Sequence, residues 1–224
     1  MPNWCYNSLR VSGPAGEVKK FREAVTKDEG EHGPRFTMEG LWPTPPELLN
    51  ESSPAMYRGD AEDVEAKAEW QRHHDSLIEQ YGAADWYEWR ISNWGTKWDA
   101  ADSEFSSDED HPEQHLGYPV LNISYSTAWS PNSGFIRWVS EVFPELHFRL
   151  LYEEAGMGFC GVLVCEAGEV LADMEEDLQW MDPDMGCIVE WDSDLNRWKV
   201  TDTGEVIDDE EFYPVEYNPF SELY

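Results

Sequence analysis

Apolar and polar positions set out the elements of this chain in order. Trp4, Tyr6, Leu9 and Val11 alternate imperfectly along 4–12, and Gly13-Pro14 ends the run, which predicts a first strand. Val18, Phe21 and Val25 then recur at helical spacing and leave Lys19, Lys20, Arg22 and Glu23 outward, a short amphipathic helix. Residues 27–33 read as its loop and 36–42 as a second, shorter strand. Pro43, Pro45 and Pro46 make 43–49 a proline-punctuated turn, because proline supplies no N–H to a helix or a ladder. After a loop at 51–56, residues 60–80 form a long helical pattern with Asp60 as cap. Its apolar stripe is Val64, Ala68, Trp70, Leu77, Ile78 and Tyr81, and Gly82 stops it.

The segment Ile91-Ser-Asn-Trp-Gly-Thr-Lys-Trp-Asp99 is too polar for a core strand and too aromatic for a surface loop. A similar mixture recurs at Ser126-Thr-Ala-Trp-Ser-Pro131, and the two are expected to lie together. Between them, 101–117 is polar and acidic and reads as an exposed loop or hairpin excursion, whereas 118–126 carries the clearest strand pattern of the chain. Phe135, Ile136, Val139, Val142 and Phe143 predict a helix stopped by Pro144. Residues 147–153 form another alternating strand, which 157–166 continues or follows. Strand, helix, strand, long insertion, strand, helix, strand is the split βαβ order. The expectation is therefore an α+β, ferredoxin-like antiparallel sheet over 1–168 with a helical inserted segment at about 43–118. Beyond Gly168 the composition changes. Residues 166–224 hold nineteen acids against Arg197 and Lys199, yet 187–191 and 197–200 look strand-like. Residues 169–224 accordingly read as an acidic, β-rich hairpin or meander appendage.

Charge alters this picture most. Fifteen basic residues face 47 acidic ones, for a formal net charge of −32. Such a surface repels nucleic-acid phosphates and anionic lipid and attracts basic surfaces. Direct nucleic-acid and membrane binding are disfavoured, and a basic protein partner is favoured. No apolar run reaches bilayer length and the N-terminus lacks a basic region followed by an apolar one, so a cytoplasmic location is expected. Cys5, Cys160, Cys165 and Cys187 fit no metal-ligand spacing and read as buried thiols.

Met1-Pro-Asn-Trp-Cys-Tyr-Asn7, the 43–48 turn, Asn93–Asp99, Ser126–Pro131, Phe143–Phe148, Tyr152-Glu-Glu and Gly158-Phe together resemble the YubB-like ferredoxin-like proteins of phages, plasmids and prophages. The resemblance runs from the first residue to about Gly168. It implies a ferredoxin-like α+β domain of mobile-element origin and carries no established reaction.

Three candidate sites follow. Trp94, Lys97, Trp98, Asp99 and Trp129, with Asn93, Ser126, Thr127 and Ser130, could frame a small-ligand or enzymatic pocket holding a Lys97–Asp99 charge pair. The competing and favoured reading is a brace: Gly95 permits a tight turn, and the tryptophans cover the edge of the core. Asp108, Glu109, Asp110, His111 and His115 invite a metal reading, but Pro112 breaks the helix that would align the histidines. Asp182, Asp184, Asp192 and Asp194 lack the glycine and terminal glutamate of a calcium loop. No phosphate loop, nucleophile–base series or HExxH is present, so neither a catalytic residue nor a metal nor a cofactor is expected. The third site is the acidic surface itself. Asp173, Glu175, Glu176, Asp177, Asp182, Asp184, Asp208, Asp209, Glu210 and Glu211 are its candidate contacts. Carboxylates held rigidly there could imitate DNA toward a host nucleic-acid-binding defence complex, such as a CRISPR effector or a restriction enzyme. The expected function is thus non-enzymatic, with a small-ligand site or a phage structural or assembly role as alternatives.

Overall fold

The computed structural model describes residues 2–28, 33–106, 114–115, 117–181, 188–192, 197–207 and 213–214. Strand β1 (Trp4–Ser12) is the organising strand of the main sheet. It pairs antiparallel on one side with β6 (Tyr118–Ala128), from Trp4↔Ala128 to Ser12↔Val120. On the other side it pairs with β7 (His147–Glu154). Strand β4 (Ala101–Ser106) lies beyond β6, the two-residue β5 (Gln114–His115) pairs with the start of β6, and β8 (Phe159–Glu166) and β9 (Glu169–Asp177) extend the sheet past β7. Helix α1 (Ala15–Ala24) follows β1, and α5 (Ser133–Val142) joins β6 to β7. The order β4-β6-β1-β7, with a helix after the first and third of these strands in chain order, is the ferredoxin-like arrangement.

Pleating separates two faces. Cys5, Leu9 and Val11 of β1, Leu121, Ile123 and Tyr125 of β6, and Phe148 and Leu150 of β7 point toward the helices. There they close a single core with Phe21 of α1 and Phe135, Ile136 and Val139 of α5. The opposite face carries Tyr6, Ser8 and Arg10 of β1 beside Ser126, Ser124 and Asn122 of β6.

The second strand of the fold is β4, not the expected 36–42. Only β3 (Pro34–Phe36) is extended there, in a two-stranded ribbon with β2 (Thr26–Asp28), where a loop was expected. Phe36 and Met38 are apolar because they fill the core, Phe36 against Tyr125 and Phe135, and not because they belong to a strand of the main sheet. The insertion consequently occupies the first crossover, between α1 and β4, rather than 43–118. Residues 101–106, read as loop or excursion, are the edge strand itself.

Within the insertion, Pro46 starts the one-turn helix α2 (Pro46–Leu49) where a turn alone was expected. At the first helical position its missing N–H has no intrahelical acceptor to lose. Helix α3 (Val64–Tyr81) is capped by Asp63, whose carboxylate accepts from Ala66 N–H at 3.0 Å, rather than by Asp60. Of its expected stripe only Leu77 is buried, and Val64 is 76 % exposed. Helix α4 (Trp86–Trp94) is capped by buried Asp85, which accepts from Tyr87 and Glu88 N–H, and Gly95 closes its end with φ 90.

The expected boundary after Gly168 falls inside a hairpin, because β9 pairs with β8 from Phe159↔Asp177 to Glu166↔Glu169. The separate element starts later. It is a small sheet of order β13-β12-β11-β10-β14, built from β10 (Trp180–Met181), β11 (Ile188–Asp192), β12 (Arg197–Val200), β13 (Val206–Ile207) and β14 (Tyr213–Pro214). Its β11–β12 hairpin is the one that the sequence suggested. Just ahead of it, Leu178 joins Cys160, Val162 and Val164 in a second apolar cluster, with Trp180 packed against them.

Candidate functional site

The two aromatic segments do lie together, and what joins them is backbone proximity. Ser130 Oγ donates to Gly95 O at 2.7 Å, and Thr96 Oγ1 donates to Ala128 O at 3.0 Å. A Cβ on Gly134 would stand 2.3 Å from Asn93 O, and one on Gly95 2.9 Å from Pro131 O. Both glycines are therefore present so that the end of α4 and the start of α5 can touch.

The five residues of the expected pocket part company here. Trp94 is fully buried, and its Nε1–H donates to Trp42 O at 3.1 Å. Asp99 makes no pair with Lys97. It accepts from Thr37 Oγ1 at 2.6 Å and from Met38 N–H at 2.7 Å, tying the insertion to the sheet. Arg90 ties the same region a second time, donating to Thr44 Oγ1 at 2.9 Å and to Glu39 at 3.2 Å. Lys97, Trp98 and Trp129 remain at the surface, where the Lys97 ammonium lies 4.2 Å from the Trp98 ring centroid and 5.9 Å from that of Trp129. Trp98 also meets Trp4 at 6.2 Å. Brace residues and exposed aromatics are thus interleaved along one stretch of chain, which is why its sequence looked like a pocket.

That aromatic rim borders a cleft of about 450 Å³ on the sheet face opposite the helices, which sequence reasoning did not single out. Trp4, Tyr6, Ser8, Ser124, Ser126 and Leu151 line it, with Asp102 on one side and Glu153 on the other. Tyr6 is 57 % exposed. Asp102 holds φ 48 where β4 shifts register against β6 between Ala101 and Glu104. Left-handed backbone at a non-glycine residue stores strain that often marks a working site. The signal was present in the sequence: Ser8, Arg10 and Ser12 of β1 and Asn122, Ser124 and Ser126 of β6 alternate with apolar residues, so one face of the central strands was not patterned as core.

Cys187, expected to be buried, lies outside the described residues, and the three described thiols are shielded. Cys5, Cys160 and Cys165 are free and buried. Burial pushes Cys5 up to about 12 and Cys165 up to about 11, so both stay protonated at neutral pH. No cluster of three or more potential ligands for a metal occurs among the described residues. Asp108, Glu109, Asp110 and His111, named above for a metal, lie outside the described residues, and of His115 only the backbone is described. No helix of the described residues is long and apolar enough to cross a membrane.

Of the ten acids named for partner binding, Asp182, Asp184, Asp208, Asp209, Glu210 and Glu211 also lie outside the described residues. The other four are on β9, the last strand of the main sheet. Asp173, Glu175 and Asp177 stand opposite Leu163, Gly161 and Phe159 on the helix side, and Glu176 stands opposite Cys160 on the other face. Arg137 of α5 reaches Asp173 at 2.6 Å, and Tyr152 Oη donates to Glu175 at 3.3 Å. Glu176 and Asp177, with Glu190, Trp180 and Trp198, also line a hollow of about 530 Å³ where the small sheet meets β9.

Residues 93–186 match the model of a family described as the ferredoxin-like domain in Api92-like protein. The match begins at the end of α4 and takes in β4 and β6 through β10, so it covers less than half of the chain. Among solved structures, the crystal structure of protein Api92 from Yersinia pseudotuberculosis is similar at 12 % identity. The alignment covers 79 % of this chain and 98 % of that one, with a TM-score of 0.46. No curated protein matches the chain. Neither similar protein is described by a reaction.

Proposed function

We propose that this is a non-enzymatic binding protein that engages a basic protein partner through its acidic surface. The observation that carries this reading is the carboxylate row of β9. Glu169, Asp173, Glu175, Glu176 and Asp177 are exposed, yet their backbone is fixed by pairing with β8 along the whole strand. Asp173, Glu175 and Asp177 share one face of the strand, where alternate side chains are about 6.7 Å apart, so these three carboxylates form a ruled line, with Arg137 already against Asp173, while Glu176 faces the other way. A flexible acidic tail pays ordering entropy on binding that this strand has already met in folding. The hollow beside Trp180 and Trp198 suits an arginine or lysine of the partner through Glu176 and Asp177, Glu190 being paired with Lys199 at 3.2 Å.

In its finer form the proposal is a protein of phage, plasmid or prophage origin, like the YubB-like proteins, acting in the host cytoplasm. Its partner there is a nucleic-acid-binding defence complex, a CRISPR effector or a restriction enzyme, whose basic groove accepts the carboxylates in place of DNA phosphates. The net charge of −32 supports a positively charged partner and argues against direct binding to nucleic acid.

The test is affinity capture from bacterial lysate at low and at high salt, followed by challenge of the captured complex with duplex DNA. A partner retained at low salt, released at high salt and displaced by DNA is the expected result. Replacing Glu175, Glu176 and Asp177 by their amides should then weaken capture at least tenfold. A partner indifferent both to salt and to these amides overturns the proposal. A salt-sensitive partner that DNA does not displace overturns mimicry alone.

A further inference from the structure

We infer that the cleft on the helix-free face of the sheet is a binding site for a linear organic cation with amines at both ends, a polyamine. One transverse row of residues carries the argument. β-Pairing places Ser126 opposite Tyr6, and Tyr6 opposite Glu153, while Asp102 sits in the β4 bulge beside Ser126. Carboxylates thus stand at both ends of a row that spans four strands, roughly 14 Å at inter-strand spacing. They are too far apart to share a metal ion, and the right distance apart to take the two termini of an extended diamine or triamine.

The middle of the row suits the rest of such a molecule. The exposed ring of Tyr6, with Trp4 next to it, offers a π-face to ammonium and an apolar surface to methylenes. Ser8, Ser124 and Ser126 offer hydroxyl acceptors. A volume of about 450 Å³ holds a ligand of that size. Arg10 and Arg149 stand opposite each other farther along the strands, so the two carboxylates lie on a line across the strands and not along them. The field of a −32 chain raises the local concentration of cations and lowers that of nucleotides or other anions.

The site is separate from the β9 row, and its test separates the two. Spermidine is titrated calorimetrically into the full chain at physiological salt, with butylamine and magnesium as comparisons. The expected result is one saturable spermidine site that neither comparison fills. Asp102→Asn and Glu153→Gln should each weaken it at least fivefold. Asparagine tolerates the left-handed backbone at 102, so the first variant keeps the fold. The amide triple variant at Glu175, Glu176 and Asp177 removes more charge and should leave this site within twofold of the unaltered protein. If Asp102→Asn and Glu153→Gln bind spermidine as well as the unaltered chain does, or if the β9 variant loses as much as they do, the site does not exist and the uptake is a diffuse effect of net charge. Saturable binding of butylamine with equal affinity would equally overturn the two-ended ligand.

Discussion

Asp99 shows how one side chain can be fully committed and still look available in a sequence. Its carboxylate takes the Thr37 hydroxyl, the Met38 N–H and its own neighbour's N–H at Ala100, leaving nothing for Lys97. Asp99→Ala strands a donor in a largely dry setting and should lower stability by about 1–3 kcal/mol in denaturant melts. Gly134→Ala drives a methyl group into the Asn93 carbonyl and should cost about as much or more, although alanine is the better helix former. Cys5 gives a prediction in pH. Its thiol is raised by burial first, then by Glu154 and Glu153, so the folded state keeps the proton that the unfolded state releases. This contribution to stability is complete below pH 9.0, its ordinary value, and declines as pH rises from there toward about 12. Cys165 and Tyr125, also raised by burial, act in the same direction. Unfolding followed from pH 8 to 11 should show a falling midpoint, and native Cys5 should resist alkylation throughout the lower half of that range.

Among the elements, those with one dry face could be read directly. β1, α1, β6, α5 and β7 each turn one side to the core and were marked by alternation or helical spacing, whereas β8 is buried on both faces and was marked by a continuous apolar run. β4 and β9 could not be read, for the same physical reason: an edge strand with little buried area needs no apolar pattern, and charge on it discourages pairing with other chains. α3 erred in the opposite sense. Its apolar residues suggested a stripe, yet only Leu77 is buried in the core, with Tyr81 packed at its margin, and the helix is held as well by the Asp63 cap, the Gly82 stop and His73 against Glu51 at 2.9 Å. The aromatic segments were recognised as adjacent because the same mixture of aromatic and polar residues recurs in both. The cleft beside them went unseen because its walls come from four strands far apart in sequence, which alternation within any one strand cannot bring together.

For the whole molecule, the acidic C-terminal region is not a detachable appendage at its start. Truncation after Gly168 removes β9 from the sheet and Leu178 from the cluster over Cys160, Val162 and Val164. The truncated chain should lose its cooperative thermal transition and bind a hydrophobic dye, whereas a separable appendage would leave the melt unchanged. The charge is spread over this continuous scaffold, and the two proposed sites draw on opposite ends of one sheet. β9 presents a row along its edge, and β4 with β7 encloses a hollow across the centre.

The position of β1 also has a consequence in time. Its two neighbours, β6 and β7, lie more than a hundred residues downstream, so one of its edges stays unpaired until the chain has been made through Ala128 and the other until it has been made through Glu154. At a synthesis rate of about 5–20 residues per second, that leaves the strand waiting for roughly 7–30 seconds. During that interval Leu9 and Val11 are exposed on an emerging chain whose own core does not yet exist. A ribosome-bound chaperone therefore has a long window on this segment. Growth at low temperature, which slows misassociation, should raise the soluble yield more than any change to the folded surface.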